Sequence, residues 1–465
     1  MNIKPNTKAA YQLLHNGILA FAHAEETGMR IDVDYCQEEK EHLTRKIKRL
    51  ERKFKETKFY KHWEHVAKNK VNMYSNVQLS HFLYKVKKIK PVKLTNTSKQ
   101  GATDEETLSQ LGISEIDTLL EIRKLKKVRD TYLDAFLREQ VNGVLHPFFN
   151  LHTTRTYRSS SDSPNFQNIP IRDEEAMNIC RRAFLPRPGY QLLDTDYSGI
   201  EVLIACCYTE DDKLIYDATE GDMHRDMAME LYMLDSLNKN HPGEKNLRQG
   251  AKNGFVFPEF YGSYYENCAP NLLAWAKTGT LHNGISALEH LDNKGLIALD
   301  GKGEIKKFDK FVEHVKDVEE QFWNVRYKKY TRWKKRQWER YQRKGYIEMF
   351  TGFRCGGVMS RKQVINSPIQ GTAFHCLLWS FIRLDMLQQA QDWDSRLIGQ
   401  IHDDIVTDIH PKELQHVAKV IEQVTCEDLL EEWKWIIVPL KVEMDLCEID
   451  QPWNTKRSWR HDEKN

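Results

Sequence analysis

Gln191-Leu-Leu-Asp-Thr-Asp196-Tyr197-Ser-Gly199-Ile-Glu201-Val-Leu-Ile-Ala-Cys-Cys207 decides how this chain is read. Gln191 to Asp196 reads as a buried strand, a short apolar run ending on a carboxylate. Gly199 interrupts it, and a helix is expected from about that residue. A carboxylate flanked by buried residues is costly unless it is paired or bound to metal. A second such place lies far downstream. Residues 395–409 read as two short strands around His402-Asp403-Asp404, framed by Leu397-Ile398-Gly399-Gln400-Ile401 and Ile405-Val406. Carboxylates from distant segments can converge on a hard cation such as Mg2+, which takes oxygen ligands. Two ions about 4 Å apart can hold the attacking and leaving oxygens of a phosphoryl displacement. Taken alone, Asp403-Asp404 also fits a polar hairpin tip.

Arg248 and Lys252 add the cationic half of such a site. They are four residues apart on a helix predicted over Asn246 to about Tyr265, so both project from one face. Arginine forks onto a terminal phosphate and lysine supplies a point charge. By itself the pair also fits solvated helix surface. The stretch Arg326 to Lys344 interleaves basic residues with Tyr327, Tyr330, Trp333, Trp338 and Tyr341. That pattern suits a phosphate-bearing partner and equally a long amphipathic helix with a wet basic face.

Composition sets outer bounds. The chain has 465 residues, long enough for two or three subdomains, and 40% are hydrophobic, a globular composition. The net charge of +2 gives no global argument for nucleic acid. No apolar run approaches the roughly eighteen residues of a membrane span, and the N-terminus lacks the apolar core of a signal peptide. Nine cysteines without a CxxC pair suggest reduced thiols in a cytosolic compartment, and neither a disulfide frame nor a zinc site.

Along the chain, Lys8 to about Glu56 has helical periodicity, and Lys85 to Lys93 reads as a basic connector containing Pro91. Leu119 to Glu139 is a second helix, with Leu119, Ile122, Leu125, Val128, Leu133 and Phe136 as its apolar stripe. Residues 151–170 read as an extended loop, Asp222 to Leu231 and Ser367 to Met386 as helices, Asn271 to Asp309 as loop-rich, and the polar tail as frayed.

These residues together resemble the polymerase domain of family A DNA polymerases. Asp196-Tyr197-Ser198-Gly199-Ile200-Glu201 is similar to that family's DYSQIE motif. Arg248-Gln-Gly-Ala-Lys252, with Tyr261-Gly262 beyond it, resembles the RxxxKxxxFxxxYG helix, and His402-Asp403-Asp404 resembles HDE. Arg158 to Pro170 is similar to RLSSxxPNLQNIP, and Asn366-Ser-Pro-Ile-Gln370-Gly-Thr-Ala to NxPxQGTA. ETGMRIDVDY and the Lys126 to Asp134 segment resemble the family's thumb. The motifs run in the family's order over nearly the whole chain.

The resemblance implies an α+β, right-hand architecture: a helical thumb over 1–150, an antiparallel-sheet palm from 151–205 and 350–465, and helical fingers over 206–349. It implies a DNA-directed DNA polymerase using two Mg2+ ions, with Mn2+ able to substitute. Asp196 and Asp403 would be metal ligands, with the Tyr197 carbonyl, and Asp404 a secondary acid. Arg248, Lys252 and His224 would meet the triphosphate, and Lys252 would protonate departing pyrophosphate. Glu201 would exclude a 2′-hydroxyl, and Tyr261 would pack near the templating base. Arg158, Gln370 and His402 would touch the primer side, and Asn165, Gln167 and Asn366 the duplex backbone or minor groove. The implied partners are primer–template DNA and dNTPs, met by a monomer in the cytoplasm of a bacterial or phage-infected cell. A separate exonuclease or processivity factor would be a further partner. Thumb-like sequence begins within the first ten residues, so no proofreading is expected from this chain.

Three departures matter. Gly199 stands where the family has Gln, and Asp404 where it has Glu. The step from Lys252 to Tyr261 is one residue longer than the family's and contains Pro258, which lacks a helix donor and crowds the Gly254 carbonyl. A bulge is expected to absorb the extra residue, leaving Phe257, rather than Phe255, to stack on the incoming base. A single-subunit RNA polymerase and a degenerate primer–template binding protein are the rival readings. Glu201 with the PNFQNIP segment opposes the first, and the intact Asp196, Asp403, Arg248 and Lys252 oppose the second.

Overall fold

The apolar run at Leu192-Leu193 becomes the middle of a five-stranded antiparallel sheet. The computed structural model describes residues 6–91, 94–95, 99–171 and 173–460. Gln191–Tyr197 (β1) has Asp404–Ile409 (β3) on one edge and Val442–Leu446 (β4) on the other; Arg396–Ile401 (β2) and Arg457–Trp459 (β5) close the order β2-β3-β1-β4-β5. A strand covered on both faces has no wet side, so Gln191 to Thr195 are all buried and the run does not alternate. Leu193 and Tyr197 join the larger apolar core, and Leu192 joins a second core with Phe166 and Trp453. Asp194, buried on that second side, accepts the Trp453 indole N–H at 2.8 Å and the Lys456 ammonium at 2.5 Å.

Before β1 the chain is mostly helical. Thr7–Thr27 (α1) and Val33–Glu56 (α2) are separate helices, which corrects the single helical pattern expected from Lys8 to Glu56. Gly28, at φ 66°, ends α1, and Met29–Ile31 forms a strand between Val144–Leu145 and Phe184–Leu185. A Cβ on Gly28 would lie 2.6 Å from the Leu145 carbonyl oxygen, so only glycine permits this approach. The stripe from Leu119 to Phe136 is buried in the second core as its periodicity implies. Its helix starts at Ser114 and passes through a π-helical turn at Val128–Leu133. The expected loop over 151–170 contains a short strand, Ser160–Asp162, paired with Phe148–Asn150, and a 3-10 turn at Phe166–Asn168. Of the basic connector, Lys85 and Val86 end a π-helical turn; Val92 and Lys93, like the tail beyond Arg460, lie outside the described residues.

After β1 come Ile200–Thr209 (α3), Met223–Leu231 (α4) and Pro242–Ala251 (α5). A π-helical segment, Lys252–Val256, leads into Phe257–Phe260 (α6) and then Tyr265–Ala276 (α7). The helix expected over Asn246 to Tyr265 is therefore broken into parts. The stretch read as loop-rich also holds a helix, Ala287–Asn293, and a small hairpin, Ala298–Leu299 with Ile305–Lys307. Asp309–Gln321 (α8) and Lys328–Lys344 (α9) follow. Tyr327, Tyr330 and Trp333 are core residues, so these three aromatics of the basic stretch serve packing, while Trp338 and Tyr341 are half-buried. Arg361–Ala390 (α10), capped by a reciprocal Ser360–Gln363 pair, extends beyond the expected Ser367 to Met386. No helix among the described residues is long and apolar enough to cross a membrane, and the nine cysteines are unpaired.

Candidate active site

Sheet register gathers the carboxylates. Asp196 on β1 stands opposite Asp404 on β3 and Glu443 on β4, so three acidic side chains share one face across adjacent strands. Asp403 lies in the two-residue turn between β2 and β3, where His402 takes φ 55°. The Tyr197 N–H donates to the Asp403 carbonyl at 3.2 Å, which brings that turn to the end of β1. Gln400 fixes the turn from beneath. Its amide donates to the His402 carbonyl, and its side-chain oxygen accepts from Ser159 at 2.6 Å and from Gln167 at 2.9 Å.

Such a cluster opposes its own ionisation. Burial pushes the Asp196 carboxyl up to about 6, and the neighbouring Asp403 and Glu443 charges add to that. The side chain opens onto solvent, which screens part of the effect. Burial also raises Asp403, opposed by Arg158, and raises Asp404 far above the usual carboxylate range, reinforced by Asp194 and opposed by Lys456. The Asp404 Oδ1 atom is buried and has no hydrogen-bond partner among the described residues. A divalent cation relieves this combination of like charges and an unpartnered oxygen. Among the described residues, no three His, Cys, Asp or Glu side chains meet closely enough to hold an ion alone. Asp196 and Asp403 therefore suit an oxygen-loving ion that completes its shell from a phosphate-bearing ligand and water.

A cavity of about 300 Å3 is lined by Asp196, Asp403, Lys252, Phe257, Tyr261, Tyr330 and Gln370, among others. The extra residue between Lys252 and Tyr261 is taken up by the π-helical segment, in which the Phe257 N–H reaches back to the Lys252 carbonyl. That shift decides which phenylalanine meets the cavity. Phe255 is fully buried against Phe322, with ring centres 5.4 Å apart. Phe257 is half-buried, lines the cavity, and has the Lys252 ammonium 5.1 Å from its ring centre. His224 meets the Phe257 ring edge-on at 5.7 Å. Burial, then the Lys252 and Arg248 charges, lower its imidazole to about 4, so it is neutral at pH 7. Glu201, in the first turn of α3, accepts from Arg158 at 3.2 Å and from the Tyr261 hydroxyl. Asn366 donates to the Tyr261 carbonyl at 3.1 Å.

Other candidates stand further back. Arg248 does not line the cavity: its guanidinium bonds Asp222 at 2.9 and 3.1 Å, and Lys239 joins the same carboxylate at 2.6 Å. Asn165 is exposed and caps its own 3-10 turn, accepting the Asn168 N–H at 3.2 Å. Gln167 is engaged with Ser159 and Gln400, and His402 is exposed at the turn. Sequence reasoning missed Gln400, Asp222 and Glu443. Glu443 had a signal, since it alternates with apolar Val442 and Met444; the roles of Gln400 and Asp222 exist only in the folded chain.

Asp196 and Asp403, at strand ends, line one cavity with the helix-borne Lys252, a set of groups that suits cation-assisted phosphoryl transfer. The chain belongs to DNA polymerase family A, whose sequence model matches residues 33–278 and 305–453. It is 28% identical over 439 residues to DNA polymerase I of Geobacillus stearothermophilus, covering 92% of this chain and 44% of that protein. It is also 28% identical over 447 residues to the thermostable DNA polymerase I of Thermus thermophilus, covering 92% and 46%. The chain thus spans less than half the length of these relatives. Its fold matches the POL domain of Pol1 from M. smegmatis, solved with DNA primer–template and dNTP: TM-score 0.72, 22% identity, 94% of this chain and 70% of that one.

Proposed function

We propose that the chain is a DNA-directed DNA polymerase, extending a primer 3′-hydroxyl with dNMP from dNTPs on a template and releasing pyrophosphate. The observation that carries this reading is that Asp196, Asp403, Lys252 and Phe257 line one cavity. Asp196, Asp403 and the Tyr197 carbonyl would hold two Mg2+ ions, or Mn2+ in their place, which when bound activate the 3′-oxygen and neutralise the leaving pyrophosphate.

The chain's own residues do the rest. Lys252 holds the triphosphate electrostatically and gives its Nζ proton to the departing pyrophosphate. Neutral His224 offers a ring N–H to the same phosphates. Arg248 joins them by exchanging Asp222 for phosphate, trading one charge-assisted fork for another. Phe257 stacks beneath the incoming base, and Tyr261 packs beside the templating base. Arg158 and Tyr261 hold Glu201 against the cavity wall, where it leaves no room for a 2′-hydroxyl. Arg158, Gln370 and His402 face the primer side; Asn165, Gln167 and Asn366 face the duplex. Asp404 stays a supporting acid beside Asp196. In this reading residues 1–150 are the thumb, 151–205 and 350–465 the palm, and 206–349 the fingers. The polymerase acts as a monomer in the cytoplasm, with a separate exonuclease or processivity factor as a further partner.

The test offers one dNTP at a time, with Mg2+, on four primer–templates that differ only in the templating base. Consumption of the complementary dNTP alone supports the reading. Consumption that ignores the template, or none on any template, contradicts it.

A further inference from the structure

Next to the cavity lies a buried polar cluster with no part in the chemistry above. Glu259, on the short α6 turn between Phe257 and Tyr261, is 3% exposed and does not line the cavity. Its Oε2 accepts the Trp323 indole N–H at 2.8 Å, and its Oε1 accepts the Cys268 thiol at 3.5 Å. The Lys334 ammonium sits 3.1 Å from the centre of the Trp323 ring. Trp323 in turn stacks on Tyr330, with ring centres 5.2 Å apart and planes at 24°, and Tyr330 lines the cavity. Glu319 at the end of α8 accepts the Tyr265 N–H at 2.5 Å and faces Glu259. Charged and titratable groups thus reach Glu259 from α7 (Cys268), α8 (Glu319) and α9 (Lys334), and Arg361 on α10 faces Lys334.

The local backbone gives this turn little support. The helix segment is one turn long, follows a π-helical bulge, and contains Pro258, which donates no main-chain hydrogen bond. A leucine at 259 would pack there without desolvating a carboxyl, so the acid is an expensive choice for packing alone. Buried polar groups that satisfy one another specify a single arrangement where apolar contacts allow several.

We propose that Glu259 is a positioning residue for nucleotide selection. Together with Trp323 and Lys334 it fixes the rotation of the Phe257–Tyr261 turn, and so presents both rings to the cavity. The proposal rests on the reading of that cavity as a dNTP site. Without the Glu259 carboxyl the Trp323 indole N–H loses its acceptor and the Lys334 ammonium loses a nearby acidic charge, and the turn is free to rotate about the bulge.

The experiment is single-nucleotide incorporation by wild type, Glu259→Leu, Glu259→Gln and Trp323→Phe, with primer–template affinity measured separately by fluorescence anisotropy. Glu259→Leu should raise the dNTP KM about tenfold or more, as misplaced contacts do, while DNA affinity and kcat stay within about threefold. Glu259→Gln keeps an oxygen for the indole and should restore KM. Trp323→Phe should reproduce the Leu effect, and it carries the test if Glu259→Leu does not fold. An unchanged KM in Trp323→Phe and in folded Glu259→Leu overturns the proposal, as does a parallel loss of kcat and DNA affinity. If wild type itself incorporates no dNTP, the polymerase reading fails first and takes this inference with it.

Discussion

Phe255→Ala and Phe257→Ala remove the same ring two residues apart and are expected to fail differently. Phe255 is fully buried and packs edge-on against Phe322. Its truncation leaves a core cavity, costing about 3–5 kcal/mol of stability. Phe257 is half-buried, so its removal costs the fold less, and it lines the same cavity as Asp196. An aromatic ring stacked on a base is worth about 1–3 kcal/mol. At about 1.4 kcal/mol per tenfold, that raises the dNTP KM roughly 5- to 150-fold. Thermal denaturation and single-nucleotide kinetics on the two variants separate the effects. Phe255→Ala should lower Tm with KM nearly unchanged, and Phe257→Ala should do the reverse. A much larger KM for Phe255→Ala, with the larger loss of Tm in Phe257→Ala, would refute the argument that the bulge turns Phe257 to the cavity.

Further outcomes follow from single positions. Gly199 has φ 66°, and an added Cβ would meet no atom within 4 Å. Gly199→Gln should therefore cost only about 1–2 kcal/mol of backbone strain and leave extension intact; a variant that does not fold would show that the space is not open. Glu201→Ala should relax the preference for dNTPs over rNTPs, measured as the ratio of kcat/KM values, and an unchanged ratio would place the sugar gate elsewhere. Burial holds the Glu259 acid up to about 7, above its ordinary 4.5. Its contribution to stability is full below about pH 4.5 and is lost as pH rises through about 7. Lys334, lowered by burial to about 7, acts in the opposite sense above that pH. Glu259→Gln should accordingly flatten the fall in Tm between pH 5 and 7, and an unchanged slope would show that another group titrates there.

The parts legible in the sequence are those set by short-range pattern. Leu192-Leu193 and Ile405-Val406 announce buried strands, and the carboxylates beside them arrive at neighbouring strand ends because an antiparallel sheet is the compact way to bury both runs. The bulge followed from one extra residue and Pro258. The Met29–Ile31 strand was hidden because three residues cannot display a period of two against the helices on either side. The aromatics from Tyr327 to Trp333, interleaved with basic residues, fit a phosphate-bearing partner and an amphipathic helix equally in sequence; packing turns these three rings inward. Arg248 is legible in the sequence as a helical cation four residues before Lys252. Its pairing with Asp222 depends on how α4 docks against α5, which local periodicity does not encode.

The most direct measurement is extension of a labelled primer on a DNA template with Mg2+, with dNTPs and rNTPs in separate tubes, by wild type and by Asp403→Asn. Several kcal/mol of lost charge stabilisation, at about 1.4 kcal/mol per tenfold, predict a drop of at least a few hundredfold in the variant. Extension with dNTPs only, and its loss in Asp403→Asn, is the result expected. Near-normal turnover by Asp403→Asn, or primer–template binding without extension in either tube, would contradict an active site built on Asp196 and Asp403.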